Sequence, residues 1–309
     1  VIGTGVIGAG WIAHFLRMGL EVAAWDPAPG FADRLKGMVE GVWPTLQSIG
    51  LSPAASPERL SFGASPEEIV AEAGFVQESS PEDLDAKIAL YERLDAATPK
   101  ETIIASSTSG LRMTDIQMRC RYPGRTVVGH PYNPPYLVPL VEVVAGRRTS
   151  AATVDSVAAF YRAVGKRPLV VRKEVPGFVA NRLQEAVWRE MLHMVAAGEA
   201  TVEEVDAAMV DGPGLRWAVM GPGMTFHIGG GEGGMASMLD HFAHVFDEPW
   251  TRLQAPPLSD ELRAGLIDGC RREASGHSYE ELTRLRDQAL VAVLRARESV
   301  ERVDDGTTG

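Results

Sequence analysis

At 309 residues the chain is long for one compact domain, and at about 150 residues per domain its length suggests two. Its 45% apolar and 23% charged residues exclude a disordered chain. The 32 glycines and 20 prolines follow no period, which excludes a collagen-like or linker composition, and no apolar run approaches the ~18 residues of a membrane span. A net charge of −11 argues against a nucleic-acid partner, which needs a basic face.

The chain begins at Val1 inside an apolar run, so its first strand is expected to have lost its start. Gly3-Thr4-Gly5-Val6-Ile7-Gly8 follows, with the spacing G-x-G-x-x-G, and leads into an apolar helix over Trp11–Met18. A strand over Val22–Trp25 then ends beside Asp26, eighteen residues past Gly8. In that context each glycine has a role. Gly3 makes the tight turn, Gly5 lets backbone approach a pyrophosphate, and Gly8 lets helix and strand pack closely. Val6 and Ile7 lie in the same loop, where a helix N-terminus offers free amides to phosphate. Asp26 is placed to accept from ribose hydroxyls and to repel the extra phosphate of NADP, so NAD is the expected cofactor.

Further strands are expected at Phe75–Gln77, Thr102–Ser106, Thr126–Gly129, Leu140–Val144 and Leu169–Arg172. Helices are expected at Phe31–Ile49, Pro66–Ala73, Leu84–Leu94 and Ala152–Val164. Such alternation argues for an α/β Rossmann-type doubly wound, mostly parallel sheet with helices on both faces. After Val175-Pro176-Gly177 only helical periodicity remains, over Phe178–Ala197, Thr201–Val210, Met235–Phe246, Ser259–Glu273 and Tyr279–Ser299. The expected division is therefore 1–175, a nucleotide-binding domain, and 176–309, an all-helical domain. Asp304–Gly309 reads as a frayed polar tail.

Two positions carry candidate chemistry. His130 ends a strand at the ligand-binding edge of a doubly wound sheet, and its imidazole can take and return a proton near neutral pH. Glu142 lies alone in the apolar run Leu137–Val144, so it needs a partner, and a histidine is an obvious one. Taken singly, each reads more readily as a solvated loop histidine or an edge-strand acid. Ser106-Ser107-Thr108-Ser109-Gly110 ends a neighbouring strand. Ser109, His130 and Glu142 also admit a hydrolase-triad reading, but no G-x-S-x-G surrounds Ser109 and the glycine loop would then be idle.

Together these residues resemble the 3-hydroxyacyl-CoA dehydrogenase superfamily, from Gly3 to about Ser299. The resemblance is carried by Gly3–Gly10, Gln77-Glu78-Ser79-Ser80-Pro81-Glu82, Ala105–Gly110 and Gly129-His130-Pro131-Tyr132-Asn133-Pro134. It continues in Pro139–Glu142, Val175–Asn181, Gly214-Leu215-Arg216-Trp217 and Gly221-Pro222. It implies that His130 is the general base for oxidation of a 3-hydroxyl, with Glu142 orienting it. It further implies that Ser109 bonds the substrate oxygen, that Asn181 positions the substrate, and that Glu82, Lys87 and Ser107 line the NAD site. Homodimers formed through the helical half are also implied.

The branch of the superfamily that this chain resembles acts on carnitine. Arg216 offers a planar fork for a free carboxylate and argues against a CoA thioester. L-Gulonate 3-dehydrogenases share a similar Gly-Leu-Arg element, so gulonate or another short 3-hydroxy acid stays open as substrate. Tyr132, Trp188, Trp217 and Phe226 are candidate faces for a trimethylammonium group. Trp188 is equally placed for core packing beside Leu183, Ala186, Val187 and Met191. The glycines and Pro213 of Gly212–Trp217 suggest an irregular turn. A silent crystallin-like protein or an NAD sensor is the alternative of a different class.

Gly229–Gly234 lacks a P-loop ending and reads as a connection between helices. Asp240, His241 and His244 read as the flank of a helix with Met235, Met238, Leu239, Phe242 and Phe246 inward, with no metal expected. Lys100, Arg147 and Arg148 read as surface charge. Cys120 and Cys270 read as buried or neutral thiols, and with no visible signal peptide the cytoplasm is the expected location.

Overall fold

A computed structural model describes residues 1–218, 220–241, 251, 259–262, 264–265 and 276–304. Phe242, His244, Phe246, Cys270, most of Ser259–Glu273 and residues 305–309 of the expected tail lie outside the described residues. The chain forms two compact units, Val1–Arg182 and Leu183–Gly309.

In the first unit the expected alternation is present. The strands are β1 Val22–Ala24, β2 Leu60–Phe62, β3 Phe75–Glu78, β4 Ile103–Ser106, β5 Thr126–Pro131, β6 Leu140–Val144 and β7 Arg167–Val171. The helices between and before them are α1 Val6–Arg17, α2 Phe31–Ser48, α3 Pro66–Val70, α4 Leu84–Ala97, α5 Met113–Ile116 and α6 Ala151–Ala163. β2 has no counterpart in the sequence reading, because three residues are too few to display a period of two. β1 and β2 pair in parallel, and β3 to β7 form a five-stranded sheet in sequence order. Ile2 bridges Trp25 on one side and Glu78 on the other, joining the two groups of strands into one layer.

All pairings in the larger sheet are parallel except β5 with β6. That pair is antiparallel, and its register sets His130 opposite Glu142. The core of this unit joins Ile2, Val76, Ile104, Val128 and Val144 of the sheet to Tyr91 and Leu94 of α4 and to Phe178. Ser65, Asp83 and Ser150 cap α3, α4 and α6 by accepting a backbone amide. By contrast, α1 starts from Gly5 with no side-chain cap. Burial pushes the Cys120 thiol up to about 12, which keeps it neutral.

The second unit is helical: α7 Ala180–Ala196 runs into it, followed by α8 Val202–Asp211, α9 Pro213–Trp217, α10 Pro222–Gly229, α11 Gly234–His241 and a last helix, Tyr279–Asp304. A Thr201–Glu204 capping box starts α8.

Two expectations need correction here. Gly212–Trp217 is not an irregular turn, because Pro213 at the first helical position starts α9. Trp188 is 49% exposed rather than packed in a core, and Leu183 and Val187 on the same helix are exposed too. Gly229 ends α10 and Gly234 begins α11, with a single turn of 3₁₀ helix at Gly231–Gly233 between them. Among the described residues no helix is long and apolar enough to cross a membrane.

Candidate active site and cofactor site

The glycine loop connects the end of the Val1–Gly3 segment to α1. Gly3 has φ +84°, and a Cβ there would meet the Ser79 carbonyl oxygen at 2.6 Å. Only glycine combines that backbone with that approach. A Cβ on Gly8 would sit 1.9 Å from the Gly3 carbonyl oxygen, so helix and loop touch there without side chains between them. A Cβ on Gly5 meets nothing within 4 Å. Gly5 and Val6 are exposed, and Ile7 is half-buried. The start of α1 is thus an open backbone surface with amides left uncapped, which suits a pyrophosphate. Asp26 follows β1, and its Oδ2 accepts from the Thr4 amide at 2.8 Å while Oδ1 accepts from the Ala28 amide at 2.9 Å. The acid therefore anchors the glycine loop at the place where ribose hydroxyls would meet it.

The carboxyl-terminal ends of β3, β4 and β5, together with the antiparallel β6 and the start of α7, supply the remaining groups. After β4, Ser107 Oγ accepts from Trp11 Nε1 (3.2 Å) and Gln77 Nε2 (2.8 Å) and lies 2.8 Å from Ser79 Oγ. This ties α1 to β3 and β4. Glu82 Oε1 gathers the Thr108 hydroxyl (2.6 Å) and the amides of Ser109 (2.9 Å) and Gly110 (3.1 Å), with Ser109 Oγ at 3.3 Å. Glu82 therefore shapes the Ser107–Gly110 loop. Lys87 is buried, and its Nζ donates to Glu78 Oε1 at 2.7 Å and to the Ser80 carbonyl at 3.1 Å. Its charge is spent inside the fold, supporting the Ser79–Ser80 turn, while Glu82 Oε2 stands 3.9 Å away.

His130 and Glu142 are both buried, with Nδ1 2.9 Å from Oε2. Glu142 Oε1 accepts from the amides of Val179 (2.9 Å) and Ala180 (3.0 Å). Burial pushes the Glu142 carboxyl up, but the hydrogen bonds from His130 and these two amides outweigh it. The net effect holds Glu142 below the usual carboxylate range. An ionised Glu142 can only accept, so the proton between the pair belongs to Nδ1. In the neutral imidazole Nε2 then carries the lone pair, the form a general base requires.

Asn181 sits one residue into α7. Its Nδ2 donates to the Ser109 carbonyl (2.9 Å), and its Oδ1 accepts from the Tyr132 hydroxyl (2.6 Å). The Tyr132 ring stands edge-on to His130 with centroids 5.1 Å apart. Burial, and then the nearby Glu142 charge, raise its phenol well above the usual range, so the hydroxyl stays protonated and can donate to Asn181. Ser109, Asn181 and Tyr132 thus form one hydrogen-bonded set in the first unit, beside the His130–Glu142 pair, which the Tyr132 ring and the Val179 and Ala180 amides contact.

Arg216, Trp217 and Phe226 are exposed on the second unit, with Arg216 and Trp217 on α9 and Phe226 on α10. Neighbours on a helix diverge by about 100°, so Arg216 and Trp217 do not face one small ligand together. Gln77, Thr108, Lys166 and Phe178 also build this neighbourhood. The first two lie in motifs already visible in the chain. Phe178 lies in the Val175–Asn181 motif but stands there as the start of a helical run, and Lys166 lies in none of the motifs.

Residues 1–175 match the NAD-binding domain of 3-hydroxyacyl-CoA dehydrogenases, and residues 177–265 match the C-terminal domain of the same enzymes. The L-carnitine dehydrogenase of Streptomyces griseus is 58% identical over 295 residues, 96% of this chain and 88% of that protein. The L-carnitine dehydrogenase of Burkholderia mallei is 48% identical over 300 residues, 97% of this chain and 94% of that one. Among solved structures, an NAD+-dependent dismutase, 5-formyl-3-hydroxy-2-methylpyridine 4-carboxylic acid 5-dehydrogenase, superposes with a TM-score of 0.82. It is 30% identical and covers 96% of this chain and 97% of that one. The Escherichia coli 3-hydroxybutyryl-CoA dehydrogenase gives a TM-score of 0.65 at 26% identity, over 87% of this chain and 56% of that one. An open glycine loop, a buried His–Glu pair across β5 and β6 and matches to both domains over most of the sequence agree: the chain belongs to the 3-hydroxyacyl-CoA dehydrogenase family.

Proposed function

We propose that this chain catalyses the NAD-dependent oxidation of the 3-hydroxyl of L-carnitine to 3-dehydrocarnitine. The observation that carries the chemistry is the buried His130–Glu142 pair, with Nδ1 committed to the carboxylate at 2.9 Å and Nε2 left as the base. Its likeness to L-carnitine dehydrogenases at 58% identity supports the substrate. NAD, when bound, supplies the hydride acceptor. Nε2 of His130 takes the hydroxyl proton as the C3 hydride departs, and the carbon–oxygen bond becomes a carbonyl. Glu142 stabilises the imidazolium so formed. Ser109 is assigned to hydrogen-bond the substrate oxygen, and Asn181, with one N–H beyond that used on Ser109, to position the substrate. Gly3, Gly5, Val6, Ile7, Gly8, Asp26 and Ser107 are assigned to the cofactor, with Glu82 and Lys87 shaping the loops that face it.

Carnitine carries a carboxylate and a trimethylammonium on either side of the reacting hydroxyl. Arg216 is assigned to the carboxylate. With α9 helical, the ammonium face falls to Tyr132 or Phe226 rather than Trp217, and the closeness of Tyr132 to His130 supports Tyr132. Residues 1–175 are assigned to NAD binding, and 176–309 to substrate binding and to a two-fold homodimer. The exposed Leu183, Val187 and Trp188 stripe of α7 supports the dimer. A cytoplasmic location suits the free thiol of Cys120.

The deciding experiment is NAD reduction with carnitine, L-gulonate and 3-hydroxybutyryl-CoA. Turnover of carnitine with at least ~100-fold preference in kcat/KM is expected, a ratio equivalent to about 2.7 kcal/mol. Preference for gulonate moves the substrate within the family, and NAD binding without turnover of any of the three leaves a sensor or crystallin-like protein. Sedimentation at micromolar concentration is expected to give a dimer, and a monomer there removes the assembly.

A further inference from the structure

Among the described residues Phe178 is the one non-glycine with positive φ, at +51°. A phenylalanine resists this left-handed conformation, because its Cβ crowds the carbonyl oxygen. Backbone held in such a state is over-determined by its surroundings and concentrates at functional sites. The surroundings are on view. Val175-Pro176-Gly177-Phe178 is a turn closed by the Phe178 amide donating to the Val175 carbonyl at 3.1 Å, with Gly177 at φ +69°. The Phe178 ring is completely buried in the core with Val128, Val144 and Val171, and its centroid lies 5.6 Å from that of His130. Directly after Phe178, the amides of Val179 and Ala180 converge on one oxygen of Glu142, and Asn181 follows. Successive amides turned toward one point by left-handed backbone make an anion-binding nest. Here the anion is the carboxylate that orients the base.

We propose that Phe178 is a positioning residue for the reaction: its buried ring pins the backbone in the left-handed conformation that aims the amides of Val179 and Ala180 at Glu142. The ring thereby sets how much of the Glu142 charge is shared with His130. Two amide donors on Oε1 draw charge from the carboxylate. Without them more of that charge faces His130 and favours the imidazolium. The titratable groups against the pair are few. Tyr132 follows β5, β6 contributes Glu142 itself, and Val175–Asn181 carries no charge. The proposal rests on the reading of His130 as the base.

The test titrates the His130 imidazole by NMR in the free enzyme, assigned with His130→Gln, alongside the pH profile of kcat/KM. In Phe178→Ala the ring is gone while the Cβ penalty stays, so the backbone relaxes out of the left-handed region. The His130 pKa is expected to rise by about one unit, the size of the spread that environment imposes on histidines. The acid limb of kcat/KM is expected to move with it. Phe178→Val, which keeps apolar bulk but tolerates left-handed backbone worse than phenylalanine, is expected to give the same upward shift and serves if Phe178→Ala does not fold. Leu94→Ala, a cavity in the same core, is expected to lower stability and leave the titration where it was. An unshifted His130 in a folded Phe178 variant, or an equal shift in Leu94→Ala, overturns the proposal. The NMR titration reads the pair whether or not carnitine is turned over, so a wrong substrate and a wrong role for Phe178 give different results.

Discussion

Lys87 and Glu78 show how a single charged residue can belong to the interior. Both side chains are buried, and Glu78 also accepts from the Ser80 amide and hydroxyl (2.6 Å each) and from the Ser106 hydroxyl (2.6 Å). Removing one partner of such a pair leaves the other charge uncompensated, at a cost of about 3–5 kcal/mol. Lys87→Met is therefore expected to lower the urea midpoint by that equivalent, and a midpoint near wild type would place the pair among surface bridges of little worth. His130 is the contrasting case, where the loss falls on rate. His130→Gln is expected to keep NAD affinity and lose about 10²–10⁴-fold in kcat, measured by cofactor titration and steady-state turnover. Near-normal turnover removes His130 from the chemistry.

At the scale of the element, α1 separates folding from binding within one glycine motif. Gly8 faces backbone, so Gly8→Ala drives a methyl into the Gly3 carbonyl, 1.9 Å from the new Cβ. Gly5 faces open space at φ −63°, a value open to any residue. Gly5→Ala is therefore expected to cost less than about 1 kcal/mol of stability as a changed N-cap. It is expected to weaken NAD binding by about tenfold or more, because the methyl stands where the pyrophosphate approaches. Calorimetry for NAD and thermal denaturation of the free protein check both halves. Equal damage by the two substitutions to folding would mean that Gly5 serves only the turn.

At the scale of the whole molecule, three buried groups give stability the same dependence on pH. Burial, helped by the charge of Arg17, lowers the Lys166 ammonium to about 7. Lys166 donates to the carbonyls of Pro135 and Val138, within the segment that joins His130 to Glu142, and lies 5.3 Å over the Trp11 ring. His14 is also held well below its ordinary value by burial and then by Lys166. Between pH 7 and the usual lysine range the unfolded chain binds the proton at Lys166 and the folded chain does not. Stability therefore rises with pH across that window. The lowered Glu142 acts in the acid range: its contribution is full above the usual carboxylate pKa and is lost as pH falls through the lower folded value. Thermal denaturation from pH 7 to 9 is expected to show a rising midpoint that flattens in Lys166→Met. The same slope in the variant would assign the effect elsewhere.

Local pattern made much of this legible in advance. The glycine spacing, the alternation of short β-rich runs with amphipathic helices, and His130 and Glu142 as isolated polar residues in apolar runs are all properties of neighbouring residues. So are the helical repeats after Pro176. The sequence by itself therefore determined the fold class and the cofactor loop, while His130 and Glu142 became the candidate base and its acid only through the family resemblance. Tertiary structure alone decided how these meet. An apolar strand reads the same in either direction, and only the antiparallel pairing of β5 with β6 makes two residues twelve apart direct partners across strands. The resemblance places Lys87 at the NAD site, and only the fold shows its ammonium buried against Glu78 of β3; Lys166 likewise meets the carbonyls of Pro135 and Val138 only in the folded chain. Phe178 reads as the first residue of a helical run, and nothing local announces a left-handed backbone set between a buried ring and the amides on Glu142. Periodicity records which side of an element is apolar; register, burial of a paired charge and backbone held against its preference arise from contacts between elements far apart in the chain.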